Sequence, residues 1–213
     1  MRSSPTAGSC KTAAGRATAL IVGTIGVLAL QGDFEAHARV LEGLGAQPRL
    51  VRAAGDLEGI DGLIIPGGES TTMTLGIQRE GLARPLKDFV ARGHPTLGTC
   101  AGLIMLDREH LDVLDVLAER NAFGRQVKSF ESDVDLDGLG ERFRAVFIRA
   151  PWVADHGAGV RVLAEVEGHP VAVQQGNILA VAFHPEIEGD TRLHEWLLAQ
   201  VESGARDGRQ AYK

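Results

Sequence analysis

Short aliphatic runs alternate with segments of helical periodicity in the first half of the chain. Uninterrupted runs such as Ile25–Leu30 and Gly62–Ile65 are typical of strands that are buried on both faces of a parallel sheet. Asp33 can cap a helix whose apolar positions face inward, and Leu82–Ala91 has a similar periodicity. The strands predicted in this half are Ile25–Leu30, Leu50–Val51, Gly62–Ile65 and Pro95–Gly98. This alternation predicts an α/β fold with an open, mostly parallel central sheet flanked by helices.

The second half contains a succession of strand-like runs separated by turn signals. Some of these strands should pair antiparallel, either as an added edge of the sheet or as a small second sheet. A last helix begins near Asp190 and buries Leu193, Trp196, Leu197 and Val201 at helical spacing. The predicted strands are Val113–Ala118, Val127–Leu136, Phe143–Ile148, Val160–Val166, Val171–Gln175 and Ile178–Phe183.

The N-terminal segment before the first strand can be interpreted in two ways. Residues 1–18 contain three basic residues, no acidic residue and many small side chains, a composition that also fits a signal peptide or a transit sequence. We favour a disordered extension over residues 1–23, because the apolar run that follows leads directly into a helix without an A-x-A cleavage site. One domain is then expected over residues 24–203, followed by a flexible tail over residues 204–213.

Charge and cysteine content narrow the possible partners and location. The formal net charge is −6 and basic residues are not clustered, whereas a nucleic-acid groove requires clustered positive charge. Cys10 lies in the predicted extension, so a structural disulfide with Cys100 is not expected, and a reducing, cytoplasmic location fits best. No stretch is long enough to span a membrane.

The first candidate for chemistry is a cysteine between a predicted strand and a helical run. Gly98-Thr99-Cys100-Ala101-Gly102 has the form of a nucleophile elbow, in which small flanking residues permit a sharp turn. A helix N-terminus favours a thiolate, and the Ala101 N–H can point at a developing oxyanion. The alternative for Cys100 alone is a buried, inert cysteine.

The second candidate is His184-Pro185-Glu186, which follows a buried strand. Residues i and i+2 of an extended chain project to the same side, so we expect His184 and Glu186 to converge while Pro185 keeps the backbone extended. His184 would accept the thiol proton and later protonate the leaving ammonia, and Glu186 would orient the imidazole. The alternative is a strand-end histidine beside a solvated glutamate. No metal site is predicted, since no second His or Cys cluster supplies further ligands.

The third candidate is the glycine-rich loop Pro66–Thr72, which also follows a buried strand. Gly67 and Gly68 allow backbone N–H groups to approach a ligand closely, which suits a second oxyanion donor. The loop lacks the lysine of a Walker phosphate-binding motif. The alternative is a simple tight turn.

Together with His184-Pro185-Glu186, five strings occur in the order found in a known enzyme family. They are Ala29–Gly32, Pro66–Thr72, Gly98–Ile104, Glu119–Gln126 and Phe147–Pro151. This combination resembles the class I, triad-type glutamine amidotransferases and, within that class, the glutaminase subunits of pyridoxal 5′-phosphate synthase. The resemblance extends from about Thr24 to about Val201.

The resemblance implies an ammonia-producing enzyme without a cofactor of its own. Such subunits hydrolyse L-glutamine to L-glutamate and ammonia, and the ammonia passes to a (β/α)₈-barrel synthase. Cys100 would form a γ-glutamyl thioester, with His184 as base and Glu186 as orienter, while Gly68 and Ala101 would form the oxyanion hole. The glutamine contacts implied in the same way are Gln31, Gly67, Gly68, Glu69, Ser70, Arg120, Ile148 and Arg149. Family members are generally poor glutaminases until the synthase docks.

Two departures from the family pattern keep alternatives open. Residues 1–23 form an extension that most members lack, and Leu106–Leu111 joins the nucleophile helix to the next strand with fewer residues than usual. The chain could therefore be a catalytically impaired relative. A glutaminase of another synthase, such as imidazole glycerol phosphate synthase, would share the triad but not the R-N-x-F-G-R-Q and I-R-A-P strings. A binding protein with a lone reactive cysteine on a related α/β frame would lack His184-Pro185-Glu186.

Overall fold

Seven strands form the central sheet of the computed structural model, which describes residues 23–123 and 129–210. Among the described residues there are eleven strands, namely β1 (Thr24–Leu28), β2 (Gln47–Val51), β3 (Gly62–Ile65), β4 (Thr96–Thr99), β5 (Val116–Glu119), β6 (Ser129–Leu136), β7 (Gly140–Ile148), β8 (Trp152–His156), β9 (Arg161–Val166), β10 (His169–Gln175) and β11 (Ile178–Val181). The helices are α1 (Phe34–Gly43), α2 (Ser70–Arg79), α3 (Ala83–Ala91), α4 (Ala101–Leu106), α5 (Pro185–Glu188) and α6 (Arg192–Gln210), with a 3-10 turn at Ala54–Leu57.

The strand order in the central sheet is β2-β1-β3-β4-β11-β10-β9. Its first five strands are parallel, and β10 and β9 add an antiparallel edge. Two further antiparallel pairs, β5 with β8 and β6 with β7, lie outside this sheet. The predicted open, mostly parallel sheet is confirmed, and the antiparallel strands occur in both of the expected forms.

The sheet separates α4 from α1. A Cβ atom on Gly98 would lie 2.6 Å from Leu106 Cδ1 of α4, whereas Thr99 Oγ1 lies 3.1 Å from His37 Nε2 of α1. Because successive residues of a strand point to opposite faces, α4 and α1 cover opposite sides of β4. All residues of β3, β4 and β11 are buried. Because these strands are buried on both faces, they fix the positions of the loops that follow their carboxyl ends.

Four loops with candidate chemistry leave the same edge of the sheet. Gln31, the Pro66–Thr72 loop, Cys100 and His184 follow β1, β3, β4 and β11. These four strands are neighbours in the sheet and run parallel, so their carboxyl ends lie side by side. Open α/β sheets bind ligands at this edge.

Some predicted element boundaries are wrong. β5 begins at Val116 rather than Val113, because the N–H groups of Val113 and Leu114 donate to Leu106 O and fold this segment back onto α4. α2 and β8 have no counterpart among the predicted elements. α2 has weak hydrophobic periodicity because Ser, Thr and Gly occupy half of it, and the last three residues of β8 are exposed, two of them polar.

The predicted domain begins at residue 24 and ends at residue 203. The predicted extension lies almost wholly in residues 1–22, outside the described residues, and the strand predicted to begin at Val127 is described only from Ser129. α6 continues to Gln210, beyond the predicted end of the domain at residue 203. Within the part of the chain that the structure describes, no helix has both the length and the apolar character needed to cross a bilayer.

Candidate active site

Cys100 lies between β4 and α4 in a strained backbone conformation. Its φ of 48° and ψ of −105° lie in a region that residues other than glycine rarely adopt. The Cys100 N–H donates to Val181 O at 2.8 Å, which ties the turn to β11. The side chain is buried, and its Sγ lies 3.8 Å from Ile148 O. The turn therefore has the sharp geometry that the elbow pattern predicts.

Two glycines flanking Cys100 are required by packing. A Cβ on Gly102 would lie 2.0 Å from Ile65 O, which is backbone and cannot move aside. A Cβ on Gly98 would lie 3.0 Å from the carbonyl carbon of Gly102 in addition to its clash with Leu106. The small residues of the elbow are thus explained by close approach of β4, α4 and β3.

His184 and Glu186 meet through a helical turn. His184 Nδ1 lies 2.8 Å from Glu186 Oε1, and both side chains are buried. The predicted extended backbone is wrong here, because His184 is the N-cap of α5 and Pro185 occupies the first helical position. Proline is favoured there, since its fixed φ suits a helix and the N–H that it lacks would have no intrahelical partner. The two side chains converge as expected, but by a different local geometry.

Opposing effects act on the imidazole of His184. Burial alone would lower its pKa, but hydrogen bonds and charge interactions with Cys100 and Glu186 outweigh burial and raise the pKa of His184 to about 10. The arrangement therefore favours an imidazolium ion between the thiol group and the carboxylate. The carboxylate of Asp33 lies 3.7 Å from the same Nδ1 and is half exposed.

Glu69 organises the glycine-rich loop. Its carboxylate caps α2 by accepting from Thr71 N at 3.1 Å and Thr72 N at 2.7 Å, and Arg120 Nη2 lies 3.2 Å from it. The Glu69 N–H donates to Gln31 Oε1 at 2.6 Å. Hydrogen bonds from Thr72 and Thr71 lower the pKa of Glu69 to about 2, so its charge is retained at neutral pH. This network joins the loops after β1 and β3 to Arg120, which follows β5.

The loop glycines touch the other candidate residues directly. A Cβ on Gly67 would lie 2.3 Å from His184 Cε1, and a Cβ on Gly68 would lie 2.3 Å from Gln31 Oε1. Gly68 also has a φ of +145°, which disfavours any side chain. Gly32 is packed as closely against the loop, since a Cβ on Gly32 would lie 1.8 Å from Gly67 O. The loop is therefore packed against the imidazole and not merely near it.

A cavity of about 410 Å³ opens onto Cys100. Its size suits a small amino acid rather than a macromolecule. Arg149, at φ 45°, is a second strained residue on its wall. The predicted site residues that line the cavity are Gln31, Gly68, Glu69, Ser70, Cys100, Ala101, Arg120, Ile148, Arg149 and His184. The other two predicted residues lie next to His184: Gly67 contacts its imidazole, and Glu186 is hydrogen-bonded to its Nδ1.

Several residues at the site were missed by sequence reasoning. Asp33 was expected to cap α1, and it does occupy the N-cap position, but its side chain makes no capping hydrogen bond and faces the cavity. Asn121 and Pro151 also line the cavity, and both stand inside strings that carried the family resemblance. His37 and His194 are buried behind Glu186, where helical periodicity alone gave no signal for them.

One group of ligand-type atoms could in principle hold a metal ion. Single atoms of Asp33, His184 and Glu186 lie within 4.8 Å of one another. However, His184 Nδ1 is already hydrogen-bonded to Glu186, and one ring nitrogen cannot both carry that proton and bind a metal. The geometry therefore favours a hydrogen-bonded pair at this position.

The segment after the elbow is short and tightly bound. α4 has six residues, and its C-cap residue, Asp107, has a fully buried side chain. Asp107 Oδ1 accepts from the N–H groups of Glu109 and His110, and Oδ2 accepts from Ala118 N. His110 Nδ1 lies 2.7 Å from Oδ1 as well. One carboxylate thus closes the connection from α4 to β5.

Comparison with known proteins identifies relatives over nearly the whole domain. Residues 27–203 match the family described as "SNO glutamine amidotransferase family". The chain is 51% identical over 189 residues to "Pyridoxal 5′-phosphate synthase subunit PdxT" of Frankia alni, covering 84% of this chain and 95% of that relative. The protein of the same name from Nocardia farcinica is 49% identical over 201 residues, covering 87% and 89% of the two chains.

A solved structure agrees with these sequence relatives. The structure titled "Crystal structure of glutamine amidotransferase" superposes with a TM-score of 0.78 at 45% sequence identity. The match covers 84% of this chain and 98% of the other. The α/β architecture and the sequence comparison therefore lead to the same family.

Proposed function

The chain belongs to the SNO glutamine amidotransferase family, and on this premise we propose that it is the glutaminase subunit of a pyridoxal 5′-phosphate synthase. It hydrolyses L-glutamine to L-glutamate and ammonia and supplies the ammonia to a partner synthase. The observation that carries this proposal is Cys100 on a strained elbow, beside the His184–Glu186 pair and open to a cavity of amino-acid size. The relatives named PdxT support the choice of synthase.

Cys100 is the nucleophile of the proposed reaction. In the proposed reaction the Cys100 sulfur attacks as a thiolate beside the imidazolium of His184, whose pKa is raised to about 10. The sulfur attacks the side-chain amide carbon, and the carbonyl electron pair moves to oxygen, where the Ala101 and Gly68 N–H groups stabilise it. The electron pair returns, the C–N bond breaks, and His184 donates its proton to the departing nitrogen. Ammonia leaves and a γ-glutamyl thioester remains.

Water completes the cycle. The neutral imidazole of His184 accepts a proton from water as the oxygen attacks the thioester carbon. The C–S bond breaks, glutamate is released, and the sulfur regains its negative charge beside the imidazolium. Glu186 acts in both halves by accepting a hydrogen bond from the Nδ1–H group of His184, which leaves Nε2 to exchange protons with the reacting groups.

The charged residues at the cavity suit the two charges of a free amino acid. Arg120 and Arg149 offer guanidinium groups to the α-carboxylate, for which bidentate pairing is well suited. The ionised Glu69 offers a carboxylate to the α-ammonium group. Gln31, Ser70 and the other predicted contacts complete the binding surface.

The partner in this proposal is a (β/α)₈-barrel synthase, and no cofactor is needed for the glutaminase step. Docking of the barrel would adjust the Gly67–Gly68 peptide so that its N–H reaches the oxyanion, a change that glycine permits at low conformational cost. A reducing compartment such as the cytoplasm would keep Cys100 reduced and prevent it from forming a disulfide.

Glutamate release from L-glutamine tests the proposal directly. It is measured for the full chain alone and with the barrel synthase, for the wild type, Cys100→Ala and Cys10→Ala. We expect release to increase at least about tenfold with the synthase, to vanish in Cys100→Ala, and to be unchanged in Cys10→Ala.

The possible outcomes separate the competing functions. No glutamate release in either condition would contradict the glutaminase assignment and favour an impaired relative. Release that is unaffected by the pyridoxal phosphate synthase but stimulated by another synthase would contradict the choice of partner. Equal activity of wild type and Cys100→Ala would contradict the assigned nucleophile.

A further inference from the structure

Three buried polar side chains from separate elements lie directly behind Glu186. His37 of α1 is fully buried, with Nδ1 2.9 Å from His194 Nε2 of α6 and Nε2 3.1 Å from Thr99 Oγ1 of β4. The same His37 Nε2 lies 3.4 Å from Glu186 Oε2. A polar cluster of this kind is costly to bury unless its groups are satisfied, so its proton positions can be worked out.

Glu186 uses its two oxygens differently. Oε1 accepts from His184, whereas Oε2 is buried and makes no close hydrogen bond among the described residues. A candidate donor is His37 Nε2, which lies 3.4 Å from Oε2 and 3.1 Å from Thr99 Oγ1. A proton on this nitrogen would donate to Thr99 Oγ1 and would also place its partial positive charge against the carboxylate oxygen Oε2. A lone pair on this nitrogen would instead face the carboxylate charge.

The tautomer of His37 follows from the hydrogen bond between His37 Nδ1 and His194 Nε2 and from the surroundings of His194 Nδ1. If His37 carried its proton on Nδ1, it would donate to His194, and the proton of His194 would lie on its own Nδ1. That atom is buried without a partner among the described residues, so a donor would be stranded. If His37 carries its proton on Nε2, His194 donates to His37 and strands only an acceptor. The second arrangement satisfies more groups.

Both histidines of the cluster are neutral. Burial, followed by repulsion from His194 and His184, lowers the pKa of His37 well below its ordinary value. Burial lowers the pKa of His194 to about 4, although Asp190 opposes this effect. His37 therefore meets Glu186 as a neutral donor and not as a counter-ion that would compete with His184.

We propose that His37 is a positioning residue: its Nε2–H group bonds to Thr99 Oγ1 and lies against Glu186 Oε2, and this attraction keeps Oε1 aligned with His184. His194 supports it from behind by donating to Nδ1. This role builds on the proposed function, because Glu186 orients the imidazole that activates Cys100. Without His37, the carboxylate would lose its second anchor and the imidazolium–thiolate pair would weaken.

Three substitutions at position 37 distinguish this role from simple core packing. The amide nitrogen of His37→Gln can take the place of Nε2, whereas that of His37→Asn can reach only the place of Nδ1. His37→Leu fills similar space without any donor. All three are made in a Cys10→Ser background, so that Cys100 is the only thiol in the chain.

The main measurement is the rate of Cys100 alkylation by iodoacetamide from pH 5 to 9, with the thermal unfolding midpoint as a check of folding. For His37→Leu and His37→Asn, we expect the acid limb to move up by about one pH unit, a roughly tenfold lower rate at pH 6. His37→Gln should remain within about threefold of the parent protein. Equal profiles for Gln and Asn, or no shift in Leu, would overturn the proposal.

A measurement on the wild-type chain guards against variants that fail to fold. Long-range ¹H–¹⁵N correlation spectra of the imidazole nitrogens should show the Nε2–H tautomer for His37. An Nδ1–H tautomer or a doubly protonated ring at pH 7 would overturn the proposal. Neither readout requires glutamine, so failure of the wild type to hydrolyse glutamine would count against the proposed function alone.

Discussion

At the scale of single residues, the site contains glycines at positions where a Cβ atom would clash with a neighbouring residue. Gly67 illustrates this, because its backbone conformation is ordinary and only the imidazole of His184 forbids a Cβ. Cys100 shows the complementary case, a side chain held where the backbone is strained by on the order of 1–3 kcal/mol. Such strain persists only when surrounding structure imposes it, and here β4, α4 and β11 impose it.

Gly67→Ala should inactivate the protein without unfolding it. The new methyl group would overlap His184 Cε1 and push the imidazole away from Cys100. We expect glutaminase kcat/KM to fall at least about 100-fold, since small misplacements of a reacting group carry such penalties. The matched control is Gly43→Ala on α1, where a Cβ meets nothing within 4 Å. Similar activity of both variants would show that the imidazole can relax around the methyl group.

Glu69→Gln should weaken glutamine binding more than turnover. One carboxylate oxygen would become an amide donor, which cannot accept from Thr71 N or pair with Arg120. We expect KM for glutamine to rise about tenfold and kcat to change less than about threefold. Glu80→Gln, which alters an exposed glutamate paired with Arg79, is the control and should leave KM unchanged. A lower kcat at constant KM would place Glu69 in the chemical step instead.

The sequence was most informative where one residue type has a single physical reason to be present. Gly102 and the Cys100 elbow are of this kind, because close packing and a sharp turn leave few alternatives. His184 and Glu186 were expected to meet, but the extended geometry assumed for them was wrong, since proline also suits the first position of a helix. The cluster behind Glu186 depends on contacts between α1 and α6, which local patterns do not encode.

At the scale of elements, buried strands were predicted well and polar elements poorly. β3 and β11 are continuous aliphatic segments, so their burial could be predicted directly from the sequence. The N-terminus of α2 is stabilised by the Glu69 carboxylate, which accepts from two backbone N–H groups, and the helix has no strong apolar face. The short connection after α4 is likewise stabilised by a side chain, Asp107, in place of a longer helix.

Asp107→Asn should destabilise the connection between α4 and β5. The new amide group could not accept the N–H bonds that both carboxylate oxygens now receive, so a buried donor would face other donors. We expect the free energy of unfolding in urea to fall by about 1–3 kcal/mol. Asp112→Asn is the control on the same loop, because Asp112 is exposed and makes only a surface ion pair with Lys87. Equal stability of the two variants would contradict the role given to Asp107.

At the scale of the whole molecule, the buried histidine pair links acid stability to the site. His37 and His194 join α1 to α6 across the layer that covers β4, and both are held neutral by burial. The unfolded chain would protonate each near its ordinary pKa of 6.5, whereas the folded chain resists protonation until much lower pH. Because the unfolded chain binds these protons more readily than the folded chain, the free energy of unfolding decreases as pH falls. The two groups responsible lie at the contact between α1 and α6.

His194→Gln should make folding less sensitive to acid. Because the folded pKa of His194 is lowered to about 4, its contribution to stability is complete above pH 6.5 and is lost as pH falls toward 4. The free energy of unfolding of the wild type should therefore fall by up to about 1.4 kcal/mol per pH unit for this group alone. Other titrating groups are common to both proteins, so the quantity to measure is the stability difference between variant and wild type in urea at pH 7, 5.5 and 4.5. That difference should shift in favour of the variant as pH falls, even if the variant is less stable at pH 7. A difference that stays constant over this pH range would mean that the buried pair does not resist protonation.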